Sequence, residues 1–495
     1  MSGQRSRCVS ASKAAAIASW LALAAVTATR AASGADLPAD IVLLHGRIHT
    51  EDPSRNVVQA LALRGNTIVA VGTDQAVSAF IGPSTRTIDL GGKLVLPGII
   101  DAHTHPAESA LDLGKCSLAD KMLTPTEIKA KVALCLKERP ADRALWFEVI
   151  DVNPSGLTLT LADLDAMLAD RPMLLNGSDG HTIWANSAAL AAAHIRAATK
   201  DPAGGRIERD ATGNPTGTLR DVATEIVLDA KPAAGLEAEA SQLEQAFGAM
   251  RATGITSVQD ADTDAHRMRM YKQLYDTHRL NMRVRATFGL KKTHRPADVL
   301  IGEAIKFRAA WAIDPDFLRA DAIKIFADGV IEYPSQTAAL LEPYLDATGH
   351  PTRNRGPTYY TQDHLNRIVS AADAAGFTVH IHAIGDRAVR SALDAFAEAR
   401  RRNGVRDNRH QIAHLELIDP KDFARFKELG VIANFQLLWA ERDSYIASAT
   451  LPYLGPERSR YLYPARSLHD AGALIAAGSD WGVSSFNAFE AMEHA

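Results

Sequence analysis

Residues 94–105 read Leu-Val-Leu-Pro-Gly-Ile-Ile-Asp-Ala-His-Thr-His, an apolar run that ends in two histidines one residue apart. In an extended chain residues i and i+2 point to the same side. A strand that ends this way offers His103 and His105 to one point in space. A His-x-His pair alone is also a common surface feature. Its weight comes from the strand before it and from the donors that follow at intervals.

From residue 94 onward, apolar strand-like runs alternate with helical stretches rich in Ala, Leu, Glu and Arg. Eight strands are expected: 94–103, 254–260, 282–289, 321–327, 377–382, 410–415, 431–436 and 473–480. Helices such as Asp386–Arg401 and Pro420–Leu429 separate them. Eight such units predict an α/β fold, a closed (β/α)8 barrel with parallel strands. The gap from 106 to 253 is too long for one crossover, so a large insertion follows the first barrel strand. It has its own strands at Trp146–Val149 and Met173–Leu175, and a turn-rich stretch, Asp201–Thr218, expected as a loop. Insertions of this kind line the active-site mouth.

Ahead of the barrel, residues 36–93 form short β-rich runs, Ile41–Ile48, Val57–Leu63, Thr67–Val71 and Thr85–Leu90. Arg64-Gly65-Asn66 is a tight turn between two of them. Residues 1–35 read as a secretory signal, with an uncleaved anchor or a disordered tail as the alternative: Arg5, Arg7 and Lys13, then apolar Ala14 to Val26, then the small-residue site Ser33-Gly34-Ala35. That run is short for a membrane span, and its composition predicts a bacterial periplasmic protein. Cys8 leaves with the signal. Cys116 and Cys135 remain, either as a disulfide in an oxidising compartment or as two buried thiols.

The chain has 495 residues, enough for a large core, and a formal net charge of −4. No basic block points to nucleic acid. No stretch after the signal is long and apolar enough to hold the chain in a membrane. The expected partner is a small molecule, with homo-oligomerisation left open.

Five positions at predicted strand ends carry the chemistry. They are the His103/His105 pair, Lys324 among apolar neighbours, His382, His414 and Asp480. Each has a bland alternative. A strand-end histidine also caps a core, and Asp480 could N-cap a following helix. Lys324 could pair with Asp328 or reach the surface. Together they form a nitrogen and oxygen donor set suited to zinc or a related divalent ion. His380 alternates with His382, belongs to a neighbouring interior layer, and is not expected to be a ligand.

With these motifs in hand, the sequence resembles the amidohydrolase superfamily. LVLPGIIDAHTH, the Lys324 strand, HAIGD, AHLE and GSDW carry the resemblance. Asn176–Leu190 (NGSDGHTIWANSAAL) is similar to the amidohydrolase-3 branch, the YtcJ-like hydrolases. The resemblance implies a barrel carrying a small composite β-sandwich formed mainly from the N-terminal strands. It also implies hydrolysis of non-peptide amides or related carbon–nitrogen bonds through a metal-bound hydroxide.

By position, His103 and His105 would bind one metal and His382 and His414 a second. Lys324, carbamylated, would bridge them if the site is binuclear, and Asp480 would ligate and move the proton. Zinc, as one ion or two, is the expected cofactor. His181 and Trp184 on the insertion are the candidate substrate contacts; the alternative there is a packed loop. A lactonase or phosphotriesterase on the same scaffold is the competing enzyme, and an inactive truncated homologue the competing non-enzyme. Family members continue past the GSDW strand into further sandwich strands. This chain ends at Ala495 after Asn487–Ala495, the opening of a helix, so those strands are expected to be missing.

Overall fold

The computed structural model describes residues 37–495 except 55, 120, 139–145, 155, 179–180, 203–204, 233–234 and 291–294. The signal expected over residues 1–35 lies outside the described residues. Contacts divide the chain into two units, Met1–Pro97 and Gly98–Ala495. No helix among the described residues is long and apolar enough to cross a membrane.

The first unit holds two small sheets. In one, Ile41–Leu44 pairs antiparallel with Ala60–Arg64 and parallel with Arg86–Asp89, and Thr67–Gly72 lines the edge. Gly65 sits at φ +56° in the tight turn between two of these strands. In the other, Arg47–His49 lies between Val57–Val58 and Leu94–Val95.

That last pairing corrects one expectation. The run 94–103 is two strands, with Leu94–Val95 in the small sheet and Ile99–Thr104 in the barrel. The break falls at Pro97-Gly98. Proline has no N–H to give a ladder. Gly98 lies so close to Thr256 that an added Cβ would come within 2.1 Å of its Oγ1.

The second unit is the expected barrel, eight parallel strands in chain order. We label them β1 (Ile99–Thr104), β2 (Ile255–Thr263), β3 (Arg283–Gly289), β4 (Leu318–Phe326), β5 (Thr378–Ala383), β6 (Gln411–His414), β7 (Ile432–Phe435) and β8 (Leu474–Ala477). Two backbone hydrogen bonds join its ends: Asp480 N–H donates to His103 O at 2.7 Å, and His105 N–H to Trp481 O at 2.9 Å.

Strand alternation sorts the side chains. In β4 and β5, Ile323, Ile325, Val379 and Ile381 face outward. They are buried in one cluster with Leu365, Ile368 and Val369 of helix Gln362–Ala374 and Val389, Leu393 and Phe396 of helix Asp386–Asn403. Lys324, His380 and His382 therefore face the interior.

The insertion folds as a six-stranded sheet of its own, with order 205–209, 215–221, 182–185, 173–177, 147–152, 116–117. Asp201–Thr218, expected as a loop, supplies most of an antiparallel hairpin, Gly205–Arg209 with Pro215–Asp221. Ile207 and Leu219 bury one face of it, and the turn closes where Asp210 accepts from Thr212 and Asn214 amides at 2.9 Å. The Asp, Gly and Asn residues that suggested a loop shape this turn, and two apolar residues suffice to anchor the strands. Cys116 and Cys135 are joined as a disulfide inside this sheet's core.

Candidate metal centre

At the C-terminal end of the barrel, β1 brings His103, β4 Lys324, β5 His382 and β6 His414; His105 and Asp480 lie just past β1 and β8. Donor atoms of His103, His414 and Asp480 all lie within 4.8 Å of one another, the one such group among the described residues. Asp480 Oδ1 is 3.2 Å from His105 Nε2 and 3.5 Å from His103 Nε2, and Asp480 Oδ2 is 3.9 Å from His414 Nδ1. Lys324 Nζ is 3.2 Å from His103 Nε2. The rings of His382 and His414 are 4.4 Å apart, edge to face. Three of the six expected donors thus converge within 4.8 Å, His105 and Lys324 each contact one of these three, and His382 borders them through the ring of His414.

The local backbone explains two of these placements. In β6, Gln411 and Ala413 face inward and Ile412 packs against the helices, so regular alternation would send His414 outward. His414 instead adopts φ +77° and Leu415 φ +56°, which turns the imidazole back into the mouth. Asp480 sits at φ +51°. Such conformations cost roughly 1–3 kcal/mol each in a residue other than glycine and persist where surrounding structure imposes them. Gly478 permits the closure: a Cβ there would come within 2.4 Å of His103 N and 2.6 Å of its Cβ.

Four of the six donors are almost wholly removed from water. His103 is 0% exposed, Lys324 1%, His414 3% and Asp480 4%. Burial drives the imidazoles of His103 and His414 well below the usual histidine range. It lowers Lys324 to about 8 against the pull of Asp480. For His105, burial opposes the charge, but the contact with Asp480 outweighs it and the pKa is raised. The neutral imidazoles of His103 and His414 are ready-made Lewis bases, and the lowered pKa of Lys324 makes its ammonium easier to deprotonate.

Buried polar atoms are ordinarily hydrogen-bonded. Here four in one cluster make no well-formed hydrogen bond: both ring nitrogens of His414, His382 Nδ1, which has the Asp328 carboxylate at 3.3 Å, and Asp480 Oδ1, which has His105 Nε2 at 3.2 Å. An unpartnered buried polar atom costs roughly 1–3 kcal/mol. Imidazole nitrogens and a carboxylate left this way fit a divalent cation, which would take up their lone pairs.

Several supporting residues escaped the sequence reading. Asp328 accepts from the amides of Ala339, Ile384 and Gly385 at 2.9–3.0 Å, and its Oδ1 lies 3.3 Å from His382 Nδ1. Asp328 thus holds the turn after β5 and faces a histidine, in place of the Lys324 pairing weighed from sequence. Gly385 is required there because a Cβ would sit 2.1 Å from Ala339 O. Asp101 receives the amide of Ser479 at 2.9 Å and its hydroxyl at 2.6 Å, and burial raises its pKa to about 6. The Trp439 ring stacks on His414 at 5.5 Å. These partners come from distant parts of the chain, and the short Asp-Gly and Gly-Ser-Asp signals around Asp328 and Ser479 are the only hints of them.

The two insertion residues fare differently. Trp184 is 1% exposed and packed in the insertion's core with Val149, Leu164 and Leu175. It therefore has no surface for a substrate, which corrects that expectation; its place on a buried strand of the six-stranded sheet is the reason. His181 lies at the surface with its ring 3.1 Å from Asp221.

The sequence profile of the amidohydrolase family matches residues 86–495. Exoenzymes regulatory protein AepA of Pectobacterium carotovorum subsp. carotovorum is 32% identical over 399 residues, 78% of this chain and 82% of that one. N-substituted formamide deformylase of Arthrobacter pascens is 27% identical over 468 residues, 92% of this chain and 82% of that one. Among solved structures, a metal-dependent hydrolase from Pyrococcus furiosus aligns with a TM-score of 0.70 at 22% identity. That alignment covers 92% of this chain and 88% of that one, a likeness of fold.

Proposed function

This chain belongs to the amidohydrolase family, and from that premise we propose that it hydrolyses a non-peptide amide or related carbon–nitrogen bond. The observation that carries the proposal is the cluster of buried donor atoms without well-formed hydrogen bonds on His382, His414 and Asp480. The similarity to N-substituted formamide deformylase makes N-substituted formamides the first substrate class to try.

His103, His105 and Asp480 would hold one divalent cation, and His382 with His414 a second. Lys324, as a carbamate, would turn from a buried cation into a bridging anion. Zinc suits this donor set. A cation bound there supplies Lewis acidity, polarising a carbonyl and lowering the pKa of water toward neutrality.

The chain's own residues do the rest. The Asp480 carboxylate takes the proton from the attacking water and delivers it to the leaving nitrogen. Asp328 and the amides around it keep His382 in place. Trp439, flat against His414, excludes water from that side, which strengthens every charge interaction within. His105, with 21% of its side chain exposed, is the most open of the six donors. A substrate enters on its side.

The disulfide Cys116–Cys135 supports export to an oxidising compartment, consistent with an N-terminal signal and a periplasmic location.

Purified protein supplied with zinc and screened on N-formyl, N-acyl, lactone and phosphotriester substrates tests the reading. Turnover of the formyl or acyl amides supports it. Turnover of lactones or phosphotriesters alone would replace it with the competing hydrolase reading, and a folded sample that retains no divalent metal would point to a non-enzyme.

A further inference from the structure

The interior layer beneath the donors carries an inference of its own, resting on the reading of His103 as a ligand. His103 and His380 are both 0% exposed, and His103 Nδ1 lies 2.9 Å from His380 Nε2. One proton is shared across that contact. If it sits on His103 Nδ1, then His103 Nε2 is bare and able to bind a metal. If it sits on His380, a neutral His103 carries its proton on Nε2 and is blocked.

The direction is set by a chain of hydrogen bonds that begins at a backbone carbonyl. Asn434 Nδ2 donates to Ala102 O at 2.9 Å, which identifies it as the amide nitrogen. The same nitrogen lies 3.0 Å from Gln411 Oε1, which must therefore be an acceptor. Gln411 Oε1 is 3.0 Å from His380 Nδ1 and offers that nitrogen an acceptor for its hydrogen. A neutral His380 then has a bare Nε2, which accepts from His103 Nδ1. At the far end Lys324 Nζ, a donor, lies 3.2 Å from His103 Nε2, again requiring a bare nitrogen. Gln259 opposes this direction: its Oε1 accepts from Gln411 Nε2 at 3.0 Å, so its Nε2 is a donor, and that nitrogen lies 2.9 Å from His380 Nδ1 and 3.3 Å from Thr287 Oγ1.

We propose that His380 is a positioning residue for His103. Its Nε2 fixes the tautomer and ring orientation of His103, under the direction of Gln411, Asn434 and the carbonyl of Ala102. Ligating histidines commonly hand their second nitrogen to a carboxylate or a carbonyl. Here a second imidazole takes that part, and it sits two residues before His382 on the same strand and the same face.

The test compares zinc affinity, by chelator competition, and melting temperature for wild type, His380→Gln and His380→Phe. Phenylalanine fills the space without an acceptor, while the glutamine oxygen can replace Nε2. Loss of an outer partner of a metal ligand typically costs 10–100-fold in affinity. The expected result is a loss of about that size in H380F, recovery of most of it in H380Q, and no parallel trend in melting. Wild-type zinc affinity in a folded H380F would overturn the proposal. Nitrogen-15 spectra of zinc-free wild-type protein with labelled histidine give a second readout should H380F fail to fold. A proton on Nδ1 of both His103 and His380 supports the proposal, and a proton on His103 Nε2 overturns it. Absence of zinc binding in the wild type would refute the ligand reading of His103, a failure that leaves the tautomer result separately legible.

Discussion

The backbone amide of Asp480 donates to the carbonyl of His103 at 2.7 Å. These two residues lie at opposite ends of the barrel sequence, and this bond helps close the sheet. The same contact sets two donor side chains beside each other, so closing the fold and assembling the site are one event.

Gly478→Ala tests that coupling. Its Cβ would press on His103 backbone and Cβ at 2.4–2.6 Å, and neither can yield without moving β1. Overpacking of this kind costs about 1–3 kcal/mol. Urea melts should show that loss, with zinc affinity falling alongside; a wild-type midpoint and affinity would contradict the tight closure.

Asp480→Asn keeps the shape and removes the proton carrier. Loss of a general acid–base group typically costs about 10²–10⁴-fold, and kcat/KM on the best amide substrate should fall by that range. The melting temperature should hold, since the amide keeps the shape and the loss of the contact with His105 is offset by removing a buried charge. Activity within a factor of a few of wild type would remove Asp480 from the proton path.

Asp386 gives stability a pH dependence. Burial raises its pKa from 3.8 to about 6, although Leu341 N–H donates to it at 2.8 Å. A raised folded-state pKa means the folded protein holds the proton more tightly. Its contribution is present in full below pH 4 and is lost as pH rises through about 6. The loss amounts to roughly 3 kcal/mol, since each unit is worth about 1.36 kcal/mol. Asp386→Asn should therefore gain on wild type in urea melts between pH 4 and pH 7. An equal difference at both pH values would show that the carboxyl is not strained by burial.

The disulfide between Cys116 and Cys135 closes a segment with a sequence separation of 19. A loop of that size stabilises by about 3 kcal/mol in the chain-entropy account. Cys116→Ser with Cys135→Ser should lower the urea midpoint accordingly and leave zinc stoichiometry unchanged. Unchanged stability would mean the insertion's core holds without the link.

The barrel was legible in the sequence because its signals are local. Apolar runs of strand length recur between helical stretches, and His103, Lys324, His382, His414 and Asp480 each stand at or near the end of one. Alternation also placed His380 one layer from the donors. Its bond to His103 was not legible, since it joins residues whose spacing along the chain carries no pattern. The same holds for Asn434 with Ala102 and for Asp328 with the turn at Gly385. His414 reaches the site by a positive φ that no periodicity announces. Trp184 misled because an indole in a motif-rich segment reads alike whether it lines a pocket or fills a core. The hairpin at 205–221 was hidden by turn residues that outnumber its two anchoring side chains.

The central claim is that these side chains hold a divalent cation for hydrolysis. An anomalous-difference map from zinc-loaded crystals, recorded at the zinc edge, tests it most directly. The account predicts a peak at the barrel mouth, about 2.0–2.2 Å from imidazole nitrogens and the Asp480 carboxylate, with His103 bound through Nε2. A map with no peak among these residues, or with zinc only elsewhere on the molecule, would contradict it.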